Sequence, residues 1–187
     1  MAGNHAGQTW QAELVARYPH LFNVITEQGR TYTPGLPSVG DGWRELVETA
    51  VARIADAVAT APAGSLRIVQ VKSKFAGLRL YWQSAGLGDE IKNSVEEAVA
   101  LASARSVCTC EVCGQPGRLF KRGGWMLTAC DDHAQGDLVA IRPGRENLHI
   151  VRTIDAGRIR ILSCRRYVRD TDSFVDVDPG SLGIEEG

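Results

Sequence analysis

The sequence predicts an α+β protein: helices and a β-hairpin packed together, with a treble-clef-like zinc module and short C-terminal antiparallel strands. Three observations lead there. Apolar residues recur at three- and four-residue spacings from Trp43 to Val58, the stripe of an amphipathic helix. Apolar and polar residues alternate from Leu66 to Trp82 about a turn at Phe75-Ala76-Gly77, a hairpin pattern. A Cys-x-x-Cys pair is answered, sixteen residues later, by Cys-x-x-His.

Taken in order, Thr9 to Phe22 places Trp10, Leu14 and Tyr18 on one side of a short helix that Pro19 limits. Residues 28–42 are rich in Gly, Pro, Thr and Ser and predict a loop. The main helix follows, with Trp43, Leu46, Val47, Ala50, Val51, Ile54 and Val58 as its stripe. Asp41 stands where it can cap the first amides, and Pro62 and Gly64 end it. After the hairpin, a helix from about Asp89 to Ala104 carries Ile91, Val95, Val99 and Ala102 on one face. Beyond residue 136 come short strands: Leu148 to Ile154, Ile159 to Leu162 after Asp155-Ala156-Gly157, and Tyr167-Val168 with Phe174-Val175 around Asp170-Thr171-Asp172. These elements divide the chain into an N-terminal α+β domain at 1–106, a zinc module at 107–136, an arginine-rich β segment at 137–178 and a flexible acidic tail at 179–187.

The chain has 187 residues, 44% hydrophobic and 23% charged, with a formal net charge of −1. That is enough to bury a core, and the balanced charge gives no overall pull toward polyanions or membranes. No apolar run reaches the roughly 18 residues that span a bilayer. Met1 to His5 lack a basic and apolar leader, so the expected location is cytoplasmic. There, five cysteines serve as metal ligands or free thiols more readily than as disulfides.

Cys110, Cys113, Cys130 and His133 are the expected ligands of one structural Zn2+. Two residues separate the members of each pair, which lets both side chains converge on a tetrahedral ion. Gly114 allows the tight backbone turn after the first pair. Gly117 to Phe120 and Trp125 to Thr128 predict two strands about Gly123-Gly124, and Asp131 and Asp132 favour the first turn of a terminal helix. Knuckle, hairpin and helix is the treble-clef order. Cys108 is an alternative ligand to Cys110, although only Cys110 forms the CxxCG knuckle; Cys164 is expected to be a small buried residue. Three thiolates and an imidazole close the shell, which argues against a catalytic metal. A deaminase needs an upstream His-x-Glu, and neither His5 nor His20 has Glu two residues on. A treble-clef nuclease of the HNH type needs a histidine at the start of the hairpin, and residues 114–129 contain none.

Charge is uneven. Arg142, Arg145, Arg152, Arg158, Arg160, Arg165, Arg166 and Arg169 meet only Glu146 and Asp155 within their stretch, and Arg118, Lys121 and Arg122 extend the basic character onto the zinc hairpin beside Phe120 and Trp125. Arg118, Lys121, Arg122, Arg158, Arg160, Arg165 and Arg166 are the residues that such a surface would turn to phosphates. The competing reading is a solvated sheet whose arginines pair with Asp170, Asp172, Asp176, Asp178, Glu185 and Glu186. Lys72, Lys74 and Arg79 frame the Phe75 turn, either as a recognition loop or as a solvated tip.

Several segments together resemble a group of small, largely uncharacterised proteins of bacteriophages and bacterial genomes. They are Gly42-Trp43, Val69-Gln70-Val71-Lys72-Ser73-Lys74-Phe75-Ala76-Gly77-Leu78-Arg79, Cys110-Glu111-Val112-Cys113-Gly114-Gln115-Pro116-Gly117, and Gly124-Trp125 before Cys130-Asp131-Asp132-His133. The resemblance covers about residues 40–133, and Ala76 stands where the group's pattern has glycine. It implies a mobile-element context and no particular activity. The expected function is a non-enzymatic, zinc-stabilised binding protein that contacts nucleic acid, with inhibition or adaptation of a host protein complex as the alternative. No membrane partner and no small-molecule substrate are expected.

Overall fold

The fold is taken from a computed structural model that describes residues 9–61 and 63–185. Met1 to His5, the helix stop at Pro62, and Glu186 of the acidic tail lie outside the described residues. The architecture is mixed α+β, as the patterning predicts, with three α-helices and several sheets, mostly antiparallel.

Helix α1 spans Trp10–Arg17, and Thr9 caps it by accepting from the Ala12 amide. Residues 28–42 are less irregular than their composition suggests. Strands β1 (Ile25–Glu27) and β2 (Arg30–Tyr32) pair about Gln28-Gly29, and β3 (Pro37–Ser38) runs parallel to the next strand. Gln28 and Gly29 both take positive φ, 51° and 75°, the twist that suits a two-residue hairpin loop. Polar side chains on both strands conceal this element from a periodicity argument.

Helix α2 (Arg44–Ala59) follows a 3-10 turn at Asp41–Trp43. Asp41 does not cap it; its carboxylate accepts instead from the Trp10 indole N–H at 2.8 Å, tying α1 to the start of α2. The predicted stripe faces inward: Trp43, Leu46, Val47, Ala50, Val51 and Ile54 are buried. Strands β4 (Ser65–Lys74) and β5 (Gly77–Ala85) form the predicted hairpin, and α3 (Asp89–Ser106) packs on α2 and β5. Leu66, Ile68, Val71, Leu78 and Leu80 from the sheet join Val95, Ala98 and Ala102 of α3 in one core. Each fully buried aliphatic side chain here contributes about 1.5–3 kcal/mol.

From α3 the chain enters the cysteine segment. Strands β6 (Arg118–Arg122) and β7 (Trp125–Ala129) pair as predicted, but the expected terminal helix is a single 3-10 turn, Asp131–His133. The chain then turns back as β8 (Asp137–Leu138) against β6. Gly136, at φ +85°, lies so near the Lys121 carbonyl that a Cβ would fall 2.3 Å from that oxygen, so glycine permits this close return of the chain.

Strands β9 (Leu148–Asp155), β10 (Arg158–Val168) and β11 (Ser173–Asp176) form an antiparallel meander. Its buried residues are few, and Tyr167 is the principal one. Beyond it, Gly180–Leu182 forms a 3-10 turn whose end is held by Arg145, which donates to the carbonyls of Leu182 and Gly183. Among the described residues no helix is long and apolar enough to cross a membrane.

Candidate metal centre

The structure brings Cys110, Cys113, Cys130 and His133 together, with every ligand atom within 4.8 Å of the others. Cys113 Sγ lies 3.6 Å from Cys130 Sγ, and His133 Nδ1 lies 3.2 Å from Cys130 Sγ and 3.7 Å from Cys110 Sγ. A tetrahedron with thiolate and imidazole bonds of about 2.3 and 2.0 Å separates its sulfurs by about 3.8 Å and a sulfur from the nitrogen by about 3.5 Å. The four donors therefore fit one tetrahedral metal ion, with Nδ1 as the nitrogen that faces it.

The backbone explains the convergence. The Gly114 amide donates to the Cys110 carbonyl at 2.9 Å, and the Cys110 amide donates to the Gln115 carbonyl at 2.8 Å, closing the knuckle. Gly114 has φ +78°, as its place after the pair predicts. On the other arm, the His133 amide donates to the Cys130 carbonyl at 3.1 Å, folding the second pair into its 3-10 turn.

The thiols are electrostatically unequal. Burial pushes the Cys110 thiol up, but the backbone amides of Cys130, Cys113 and Val112 outweigh it and bring the pKa down to about 6. At exposed Cys113 the Gln115 amide favours the thiolate, but the nearby sulfurs of Cys110 and Cys130 leave the thiol raised. One thiolate forms readily and opposes the next. A divalent cation held by these four residues would remove that conflict and would displace protons from the cluster.

Cys108 is not part of the cluster: it is buried, its Sγ 3.3 Å from the Arg105 carbonyl at the end of α3. Cys164 is buried in β10, the small-residue role expected of it.

The knuckle is also locked to the N-terminal body by residues that ligand spacing does not reveal. Trp43 Nε1 donates to the Thr109 carbonyl at 2.8 Å, and the Gly42 amide donates to the Glu111 carbonyl at 2.9 Å. A Cβ on Gly42 would meet Cys110 O at 2.3 Å and the amide nitrogens of Gly114 and Cys113 at 2.4 and 2.6 Å. Glu111 reaches the Gly40 amide and the Ser73 hydroxyl. On the far side, buried Thr128 of β7 donates to the Ala76 carbonyl at the tip of the β4–β5 hairpin, at 2.7 Å. The available signal was Gly40-Asp41-Gly42-Trp43, where two glycines bracket an acid before a tryptophan.

The predicted basic residues are dispersed. Arg165 makes a two-pronged pair with Glu97 of α3 at 2.8 and 2.9 Å and lies over the Phe174 ring, 4.1 Å from its centroid. Arg166 donates to the carbonyls of Glu146 and Gly144. Arg160 pairs with Asp155, Arg118 with Asp131, and Arg122 bonds Gln135. Arg158 and Lys121 are exposed, and among the described residues their side chains have no hydrogen-bond or ion-pair partner. Arg169 links the C-terminal meander to the knuckle through the Cys108 carbonyl, Thr109 Oγ1 and the Gly114 carbonyl. Asp172 completes the docking: it accepts from the Tyr167 hydroxyl at 2.6 Å and pairs with Arg53 of α2 at 2.8 Å and Arg105 of α3 at 3.7 Å. Of the acidic residues weighed as partners for the basic surface, Asp172 thus pairs with the helices.

Comparison with protein-family models, curated proteins and solved structures finds no match to this chain.

Proposed function

We propose that this chain is a non-enzymatic binding protein in which a structural Zn2+ braces a face that contacts nucleic acid. Three thiolates and one imidazole are the soft, closed donor set of structural zinc, and no ligand position is left over for a reacting water. Knuckle, hairpin and second ligand pair follow the treble-clef order, with the terminal helix reduced to one 3-10 turn.

The observation that carries the nucleic-acid reading is the charge of the two hairpins joined at the knuckle. The spans Ser65–Ala85 and Arg118–Ala129 hold Arg67, Lys72, Lys74, Arg79, Arg118, Lys121 and Arg122, and neither contains a single Asp or Glu. Arg118 pairs with Asp131 and Arg79 bonds the Leu78 carbonyl, but Lys72, Lys74 and Lys121 keep a local cationic character that a net charge near zero conceals. Its attraction for phosphate is independent of sequence. The arginines of β10 contribute less than their number implies, because Arg165 and Arg166 are drawn into the fold.

The test is equilibrium binding of labelled oligonucleotides across a salt series. Three phosphate contacts with a single strand predict a log–log slope of about −2, so affinity falls about 20-fold from 50 to 200 mM salt. Absence of binding at 50 mM salt contradicts the reading.

A further inference from the structure

The tips of the β4–β5 and β6–β7 hairpins line one cleft and each present an exposed aromatic ring. Trp125 is 82% exposed and Phe75 is 69% exposed, the most exposed aromatic residues of the described chain. Both line a cleft of about 350 Å³, together with Ser73, Lys74, Gly124 and Met126. The hydrogen bond from Thr128 to the Ala76 carbonyl fixes the β4–β5 tip against strand β7.

Phe75 is held there against its backbone preference. Phe75 and Ala76 form the two-residue loop of the β4–β5 hairpin with φ of +52° and +61°, a conformation suited to Asn-Gly. A non-glycine residue in this region costs on the order of 1–3 kcal/mol, and the fold retains two in succession. Ala76 is buried beneath the zinc hairpin, which gives it a packing role. Phe75 has no such compensation, since most of its ring faces solvent.

The surroundings are cationic. Lys74 lies 5.2 Å from the centroid of the Phe75 ring and Lys72 lies 5.6 Å from that of Tyr81. Glu111, the acid that touches this hairpin, is engaged by the Ser73 hydroxyl and the Gly40 amide.

Exposed rings framed by lysine and arginine, with no acid on either hairpin, complement a ligand that has flat π-faces and a polyanionic backbone. We propose that the Phe75–Trp125 cleft is a stacking site for unpaired bases of single-stranded nucleic acid, with Lys72, Lys74, Lys121 and Arg122 as phosphate contacts. This rests on the nucleic-acid reading above and narrows it from any polyanion to unpaired strands. In a duplex the base faces are stacked on one another and cannot enter the cleft; in a single strand they can.

The experiment titrates the zinc-loaded full-length protein with oligothymidylate and, separately, with a blunt duplex of equal charge, following tryptophan fluorescence and anisotropy. Wild type, Trp125→Ala, Phe75→Asn and Lys121→Ala are compared, each checked for unchanged zinc content and circular dichroism. The expected result is tighter binding of the single strand with quenching of tryptophan emission. Each aromatic substitution should lose roughly 5- to 100-fold for the single strand and little for the duplex. Lys121→Ala should weaken both ligands alike and lower the salt slope by about one. Equal binding of strand and duplex, or aromatic variants that bind as wild type, overturns the stacking site and leaves the broader reading standing. Failure of both nucleic acids to bind wild type overturns the broader reading and the stacking site together.

Discussion

The N-terminal body and the segments that follow α3 are held together by different physics. The body buries a continuous cluster of twenty apolar residues contributed by α1, α2, β4, β5, α3 and the segments that join them. The metal hairpin buries Cys110, Phe120 and Ala129, and the C-terminal meander buries Tyr167 against Ala104 and Cys108. Cores of three residues cannot offset the ordering of fifty or more. What replaces apolar area is a set of specific links: the Cys110–Cys113–Cys130–His133 cluster, the Gly42 contact, and the polar keys of Arg169 and Asp172. The body should therefore tolerate graded loss, whereas the later segments should depend sharply on single residues.

The largest effect that tests this contrast is expected at Gly42. Its new Cβ would press on backbone atoms of the knuckle at 2.3–2.6 Å, which no side-chain rearrangement relieves. Gly42→Ala should cost about 3 kcal/mol or more, at the upper end of overpacking effects. It should also weaken metal retention against a chelator, although Gly42 is not a ligand. An unchanged melting temperature and chelation rate would show that the body and the metal segment are independent.

An intermediate effect is expected at Asp172. Burial raises its carboxyl, but the Tyr167 hydroxyl and the charges of Arg53 and Arg105 prevail and hold it below the usual carboxylate range. Because the folded-state pKa is depressed, the stabilisation is present above the unfolded value and is lost as pH falls through the folded one. Asp172→Asn preserves shape and tolerates the residue's φ of +46°. It should cost about 1–3 kcal/mol at neutral pH. It should also flatten the wild-type decline in stability below about pH 4. Thermal melts of both proteins from pH 7 to 3 measure this, and parallel curves would remove Asp172 as the docking key.

The smallest effect is expected at the strained tip. Phe75→Asn places a residue that accepts left-handed backbone where an exposed aromatic now stands, so stability should stay level or rise by up to about 1 kcal/mol. A clear loss of stability would mean that the Phe75 ring packs usefully in the fold.

The contrast also explains what was legible in the sequence. Periodic apolar residues betray their elements, so α2, α3 and the β4–β5 hairpin follow directly from Trp43, Leu46, Ile54, Val95 and Leu78. Ligand chemistry is equally legible, because Cys110, Cys113, Cys130 and His133 carry their geometry in their spacing. Polar links are not. Arg169 and Arg165 look like surface arginines until the structure sets one on carbonyls of the knuckle and the other on Glu97. Asp41 looks like a helix cap, yet it serves the Trp10 indole. The Phe75–Trp125 cleft joins two hairpins fifty residues apart in the chain, and no local pattern announces such a meeting.

Elemental analysis of purified, reduced protein, wild type beside Cys130→Ser, tests most directly whether a metal holds the segment beyond α3. One zinc per chain in the wild type, lost on substitution together with protection of residues 108–138 from proteolysis, is the predicted result. A metal-free wild type that keeps this segment protected would contradict it.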